Sequence, residues 1–190
     1  AIAFDVREKG RDIVTENGEI LNVPGTLKSV KAIGWYIEEF GIAQISMNLT
    51  NISVTPVHIA FDEVCRKAEA RGIRVTGSEL VGLIPLKSLL DAGKYFLEKQ
   101  QRSSGVPDDE LIKIAVKSMG LNELHPFRPE GKIIEYVMEE TNQQGLINMS
   151  LTTFMNTVAS ESPVPGGGSV SAYMGALGVA LGTMVANLSS

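Results

Sequence analysis

The sequence predicts an α+β fold, and two features of its 190 residues indicate that class. The first is a strict alternation of apolar and polar residues over 42–51, which is typical of a strand with one buried face. The second is the order of elements within 1–83, namely helix, strand, strand, helix, strand, which are the last five elements of a β-α-β-β-α-β unit. We therefore predict a ferredoxin-like sandwich lacking its first strand, with extra helices, followed by an incomplete all-α bundle segment.

The N-terminal stretch predicts one helix, a polar connection and a pair of strands. Residues 1–9 have the pattern of a helix that Gly10 ends. Residues 11–25 are polar and contain turn signals, so we expect an irregular connection there. Residues 30–38 are rich in β-forming residues, and the alternation over 42–51 follows after a short turn.

A second helix is predicted to begin with Thr55 as its N-cap and Pro56 at its first position, and to end at Gly72. The remaining predicted elements are a strand over 73–83, helices over 85–101 and 107–119, a short apolar element over 132–138, and an amphipathic helix over 151–159.

Composition narrows the class of partner and the compartment. The net charge of -5 argues against nucleic acid, because phosphate binding needs an excess of basic residues. The single cysteine, Cys65, cannot form an internal disulfide, which fits a reducing, cytoplasmic location. No set of histidine, cysteine and carboxylate residues has metal-ligand spacing, so we expect no metal.

A loop of prolines and glycines precedes the last predicted helix, which covers 170–188. Glycines let backbone N–H groups come close to a ligand, and the serine after them is expected to cap the helix. The helix is apolar nearly all round, which predicts burial among other helices, although its length would permit a membrane span. The candidate loop residues are Pro165, Gly166, Gly167, Gly168 and Ser169.

Alternation also predicts a polar sheet face that could bind a small molecule. Neutral donors and acceptors with one arginine suit a ligand that has amide-like edges and a carboxylate. The alternative is a face that is exposed to solvent and binds no ligand, as in other sheets with one solvated face. The candidate residues are Gln44, Ser46 and Asn48 on one strand, Arg74, Thr76 and Ser78 on another, and Gly34, which would leave room.

Neither histidine predicts a catalytic site by itself. His58 falls in the first turn of a predicted helix, where the positive end of the helix dipole favours the neutral base. That position would suit catalysis, but a structural or solvated histidine fits it equally. His125 precedes a proline in a loop, and no role is assigned to it.

Several segments resemble a known family. Those that resemble the C-terminal subdomain of glutamate formiminotransferase are Phe4–Arg11, Ala32–Tyr36, Thr76–Pro85 and Ile133–Tyr136. Residues 162–187 resemble the opening of formiminotetrahydrofolate cyclodeaminase. The two occur in this order in the bifunctional enzymes of histidine breakdown. We therefore predict a formiminotransferase subdomain over 1–138, a linker over 139–149, and the start of a cyclodeaminase helical domain over 150–190.

The resemblance implies a reaction and its substrates. N5 of tetrahydrofolate, with or without a polyglutamate tail, attacks the formimino carbon of N-formimino-L-glutamate, and L-glutamate leaves. The cyclodeaminase then closes the ring to methenyltetrahydrofolate with loss of ammonia. The family holds folate between two facing sheets, so the polar face could line that tunnel. Tetrahydrofolate is the co-substrate, no metal is required, and a homo-oligomer without membrane attachment is expected.

The family's general-base histidine belongs to an N-terminal subdomain that is not part of these residues. We therefore expect the 190 residues alone to be inactive in both reactions. A different class stays open: a ferredoxin-like module that binds a ligand or mediates oligomerisation without catalysis. The apolar helix over 170–188 favours assembly, whereas the resemblance argues against a third interpretation, in which that helix is a membrane anchor.

Overall fold

The computed structural model describes residues 1–139, 146–161 and 164–189. Within these ranges the chain has two small antiparallel sheets and several helices, so the predicted α+β class is confirmed. The strands are β1 Arg11–Val14, β2 Ile20–Val23, β3 Val30–Ile37 and β4 Ile42–Leu49. The helices are α1 Ile2–Val6, α2 Val57–Glu69, α3 Leu86–Lys99, α4 Asp108–Met119, α5 Pro129–Lys132, α6 Ile134–Glu139, α7 Leu151–Val158 and α8 Gly167–Leu188.

Strands β3 and β4 form the hairpin that the alternation predicted. Val30 lies opposite Leu49, and the antiparallel register continues to the last pair at the turn. The apolar side chains of β4, namely Ile45, Met47 and Leu49, pack against the core, as expected from period two. The alternate residues of the strand therefore face away from the core.

The prediction of an irregular connection over 11–25 is wrong, because β1 and β2 pair there as a second hairpin. Thr15 donates its N–H to the carbonyl of Glu19 at 2.9 Å, and Gly18 has a φ of 81° in the turn. An Asn-Gly turn between β-branched residues favours such a hairpin, even though the surrounding composition is polar. All eight strand residues are exposed.

The predicted strand over 73–83 is also wrong in this structure. Within the described ranges these residues form no strand and belong to no ladder. Ser78 instead donates its N–H to the carbonyl of Gly120 at 3.1 Å, after the end of α4. A strand needs a neighbour for its backbone groups, and no described strand lies beside this segment.

Two hydrophobic clusters meet at α2. The sheet core consists of Ala3, Val6, Leu27, Val30, Ala32, Ala60 and Val64. The helical core consists of Ile84, Leu89, Ala92, Phe96, Ile112, Ala115, Val116, Met119 and Ile133. Helix α2 supplies Ala60 and Val64 to the first, while Val57 and Phe61 pack against the second. The α2 helix therefore joins the hairpin to the α3–α4 pair.

The helix ends follow the sequence signals in part. The predicted cap at Thr55 is wrong: Pro56 is the N-cap of α2, and the Thr55 hydroxyl donates to the carbonyl of Lys28 at 2.6 Å. This hydroxyl is buried, so its hydrogen bond to a carbonyl on another segment replaces the capping bond. Gly120 ends α4 in the left-handed conformation with a φ of 62°, as predicted.

The predicted linker over 139–149 falls largely outside the described residues, apart from a 3-10 turn at Leu146–Asn148. Ser150 caps α7 by accepting the N–H of Thr153 at 3.1 Å. Within the described part of the chain, α8 is the helix long and apolar enough to cross a membrane, by length and composition only. Helix α8 buries none of its residues, so its expected burial among other helices is not seen in the described ranges.

Candidate functional site

The outward face of the β3–β4 hairpin carries the predicted polar residues and three others. Residues directly opposite each other in an antiparallel pair share a face. The register therefore sets Gln44, Ser46 and Asn48 beside Trp35, Ile33 and Lys31, respectively. We call these six residues the polar face. Ser46, Asn48 and Lys31 are exposed, and Trp35 and Ile33 are more than half exposed.

Trp35 is held against Gln44 on this face. Its indole Nε1 donates to Oε1 of Gln44 at 2.7 Å, while 55% of the residue remains exposed. A large aromatic surface with a fixed orientation and a polar edge is well suited to stacking on a planar ligand. Trp35 and Lys31 are not among the predicted site residues, although period two along β3 places both on one face.

The expectation that Gly34 leaves room on the polar face is wrong in its geometry. Gly34 lies opposite Ile45, whose side chain packs against the sheet core. A Cβ added to Gly34 would stand 3.7 Å from the Cβ of Ala3 in α1. Gly34 therefore faces the first helix, on the side of the hairpin opposite to Gln44, Ser46 and Asn48.

The three candidates beyond α2 fall into two groups. Arg74 and Thr76 are exposed, as predicted. Ser78 is half-buried, and its hydroxyl donates to the carbonyl of Met119 at 2.7 Å. Val75, between the first two, packs against the sheet core. The structure thus brings the three β4 candidates together but pairs neither Arg74 nor Thr76 with them.

The glycine loop opens α8. Gly166 is the N-cap with extended backbone and Gly167 begins the helix, so the predicted cap at Ser169 is wrong. The helix starts three residues earlier than expected, and Ser169 lies in its first turn. Apart from the adjacent residues and the backbone of α8 itself, no described atom lies within 4 Å of a Cβ added to Gly167 or Gly168. The N–H groups of this turn form a positive end that favours anions.

His58 is a buried residue between α2 and α3. It is 7% exposed, and its ring lies 4.6 Å from that of Tyr95 at an angle of 31°. Among the described residues, its Nδ1 has no hydrogen-bond partner. Burial lowers the pKa of His58, while the carboxylates of Asp91 and Asp62 act in the opposite direction. The structural interpretation of His58 fits this position at the helix interface.

Asp62 connects the same two helices. Its Oδ2 accepts hydrogen bonds from the hydroxyl of Tyr95 and from Nζ of Lys99, each at 2.5 Å. The hydrogen bond from the Tyr95 hydroxyl to the Asp62 carboxylate raises the pKa of Tyr95. No three histidine, cysteine or carboxylate side chains come together as a possible metal site in the portion of the chain described.

Two family models match the chain in succession. Residues 1–139 match the model described as "Formiminotransferase domain". Residues 150–190 match the model described as "Formiminotransferase-cyclodeaminase". The first match contains the hairpin with the polar face and the helices of both cores, and the second contains the glycine loop and α8.

Relatives whose names contain both activities match nearly the whole chain. The chain is 44% identical to formimidoyltransferase-cyclodeaminase from Sus scrofa over 97% of its own length, and 42% identical to that from Gallus gallus over 99%. These matches cover 32% and 33% of the two relatives, so the chain spans about a third of their length. It is also 39% identical to glutamate formimidoyltransferase from Thermoplasma acidophilum over 39% of its length, which covers 24% of that relative.

Proposed function

Because the chain belongs to the formiminotransferase family, we propose that it forms part of an enzyme that transfers a formimino group from N-formimino-L-glutamate to tetrahydrofolate in histidine degradation. N5 of tetrahydrofolate forms a bond to the formimino carbon, and the bond from that carbon to the glutamate nitrogen breaks. The N5 proton is lost, and the departing nitrogen gains one. The observation that carries this proposal is the succession of both family matches along one chain.

The polar face is our candidate for the tetrahydrofolate contact. A reduced pterin presents amide-like donors and acceptors, which the side chains of Gln44, Ser46 and Asn48 complement. The exposed indole of Trp35 offers a surface against which the ring system or the aminobenzoyl group can stack. Arg74, which is exposed after α2, is our candidate cation for a glutamate carboxylate of the ligand.

We extend the proposal to a second activity in the protein to which this chain belongs. The match of residues 150–190 supports a cyclodeaminase that closes the ring to methenyltetrahydrofolate and releases ammonia. The open first turn of α8, with Gly167 and Gly168, is the candidate contact for the folate in that domain. Tetrahydrofolate is the co-substrate of the transfer and its formimino derivative is the substrate of the ring closure, and we propose that neither step uses a metal.

We propose that the catalytic base for the transfer lies outside these 190 residues. His58 is buried against Tyr95, away from the polar face on β3 and β4. His125 is exposed in a loop, and its ring lies 6.4 Å from that of Phe40. We therefore propose that the 190 residues bind folate but do not transfer the formimino group alone. Formation of 5-formiminotetrahydrofolate by the purified chain would contradict this.

A binding experiment tests the proposed contact. Trp35 is the single tryptophan, so its fluorescence reports directly on the polar face. Tetrahydrofolate should quench this fluorescence saturably, and Asn48→Ala should weaken binding by about two- to tenfold, the effect of one lost hydrogen bond. Lys113→Ala, on the exposed side of α4, is the matched control and should leave the binding curve unchanged. Equal curves for all three proteins would refute the contact at Asn48.

One observation favours a second candidate, a module that mediates assembly without chemistry. Helix α8 buries no residue, and Val14 and Ile20 of the β1–β2 hairpin are 73% and 75% exposed. Such surfaces are typical of subunit contacts. We propose a cytoplasmic homo-oligomer in either case, with no nucleic acid or membrane partner. Absence of tetrahydrofolate binding, even when an N-terminal subdomain from a relative is added, would favour the assembly module.

A further inference from the structure

A cavity of about 220 Å³ lies between α1, the β1–β2 hairpin and α2. Its charged lining residues are Asp5 of α1, Arg11 of β1 and Lys67 of α2, and its apolar ones include Phe4 and Val23. Helix α1 packs on the inward side of the β3–β4 hairpin, whereas the polar face is on the outward side. The cavity is therefore separate from the polar face.

Hydrogen-bonded main chain fixes the wall of this cavity. Thr26, which follows β2, donates its N–H to the carbonyl of Asp5 at 2.9 Å. Nε of Arg7 donates to the carbonyl of Gly10 at 2.8 Å. Gly10 has a φ of 64°, and a Cβ added there would collide with the carbonyl oxygen of Val23. The chain after α1 and the end of β2 are thus held close together, which sets the position of the lining side chains.

Each carboxylate beside the cavity already has an arginine of its own. The guanidinium of Arg71 donates a hydrogen bond to Oδ2 of Asp5. Arg66 donates to the carboxylate of Glu63 through Nε at 2.8 Å and through a second nitrogen at 2.7 Å. Paired donation of this kind neutralises a carboxylate and fixes its orientation. The charges of Asp5 and Glu63 are therefore balanced before the two cations that line the cavity are counted.

Arg11 and Lys67 are the two cations that remain. The guanidinium of Arg11 lies 3.4 Å from Oδ1 of Asp5, and Nζ of Lys67 lies 3.8 Å from Oε1 of Glu63. Within the described ranges, neither cationic group makes a hydrogen bond, although each carries several N–H donors. The Lys67 side chain is only 21% exposed, so burial limits its access to water. Two cations with unused donors therefore line one cavity.

We propose that this cavity binds a small oxyanion, a carboxylate or a phosphate, between the guanidinium of Arg11 and the ammonium of Lys67. A guanidinium presents paired N–H groups that match two oxygens of such an anion, and the lysine adds a compact charge. The chain as a whole has a net charge of -5, so this local excess of positive charge distinguishes the cavity from the rest of the surface. The proposal does not depend on the folate contact at the polar face.

An NMR titration of the isotope-labelled chain with inorganic phosphate, at an ionic strength held constant with sodium chloride, tests the site. We expect saturable shifts of the Arg11 Nε–H and of the Lys67 ε-methylene signals that fit one dissociation constant. Arg11→Gln and Lys67→Gln should each weaken binding at least about tenfold, because each removes a charge-assisted hydrogen bond. Lys113→Gln, which removes an exposed cation from α4, is the matched control and should bind phosphate like the unchanged chain.

A parallel titration with glutarate identifies the class of anion. Saturable binding of phosphate alone would assign the site to phosphates, and binding of glutarate alone would assign it to carboxylates. Absence of saturable shifts with both anions would overturn the proposal, as would equal weakening by Lys113→Gln. It would also be overturned if Arg11→Gln removed the Arg11 shift and left the Lys67 shift unchanged, since the two cations would then act separately. Arg71 still pairs with Asp5 in both cavity variants, and their amide spectra report whether the fold is kept.

Discussion

Residues 1–139 and the two C-terminal helices differ in how they bury apolar surface. The first region closes two cores around α2, and in the helical core Leu89 and Ile133 are completely buried. Helices α7 and α8 bury no residue, although α8 is the most apolar element of the described chain. The first region therefore holds its shape through its own contacts, whereas most apolar side chains of α7 and α8 stay exposed within the described part of the chain. Substitutions in the two regions should therefore change the stability of the protein by clearly different amounts.

The largest expected effect is a truncation in the helical core. Leu89→Ala removes a side chain that is 0% exposed, and should lower the free energy of unfolding by about 2–5 kcal/mol. Leu188→Ala, at a residue in α8 that is 79% exposed, is the matched control and should change it by less than about 0.5 kcal/mol. Urea titration of both variants measures the difference. Similar losses would show that α8 contributes to the same core.

Glycine substitutions should have opposite signs in the two regions. Gly120 has a φ of 62°, and an added Cβ would stand 2.7 Å from the Cα of Gly77, so Gly120→Ala should cost more than about 1 kcal/mol. Gly178 lies inside α8 with nothing within 4 Å of an added Cβ, so Gly178→Ala should raise helix stability by about 0.5–1 kcal/mol. Thermal melts followed by circular dichroism test both. Destabilisation by Gly178→Ala would indicate close packing of α8.

A smaller effect is expected from pH. Burial lowers the pKa of His58 below its ordinary value of 6.5, so the unfolded chain binds a proton more readily than the folded one as the pH falls past 6.5. Stability should therefore decrease on acidification from that point until the folded histidine is also protonated. His58→Phe should flatten this part of the profile while keeping a ring beside Tyr95. If the pH dependence of stability is unchanged in His58→Phe, other titratable groups cause it.

The smallest effect should come from a surface ion pair. Lys87 and Asp91 lie one turn apart on α3 with an N–O distance of 2.8 Å, and the lysine side chain is 83% exposed. Solvent screening leaves such pairs with about 0–1 kcal/mol. Lys87→Ala should therefore be close to neutral in urea titrations, and its effect should vanish in high salt. A larger loss that persists in salt would indicate packing by the lysine stem.

Local patterns predicted most of the helices and the β3–β4 hairpin. The period of two in β4 and the stop signal at Gly120 act over a few residues, so they can be recognised without the fold. The β1–β2 hairpin was missed because overall polarity outweighed the Asn-Gly turn at Gly18. Trp35 was missed as a site residue, although its alternation with Ile33 could have revealed it.

Non-local features could not be predicted in the same way. Whether residues 73–83 form a strand depends on a neighbouring backbone, which the segment's own composition does not specify. The face on which Gly34 lies depends on the register with β4, because a shift of one residue moves every side chain to the opposite face of the sheet. The succession of formiminotransferase-like and cyclodeaminase-like segments, by contrast, was recognised from the sequence, and the family is confirmed by both matches.

The central claim is that the outward face of β3–β4 contacts tetrahydrofolate. The most direct measurement is NMR shift mapping of the isotope-labelled chain during titration with tetrahydrofolate. The account predicts saturable shifts at the amides of Gln44, Ser46 and Asn48 and at the indole N–H of Trp35, with α4 unaffected. Shifts confined to α8, or none on β3 and β4 at saturating tetrahydrofolate, would contradict it.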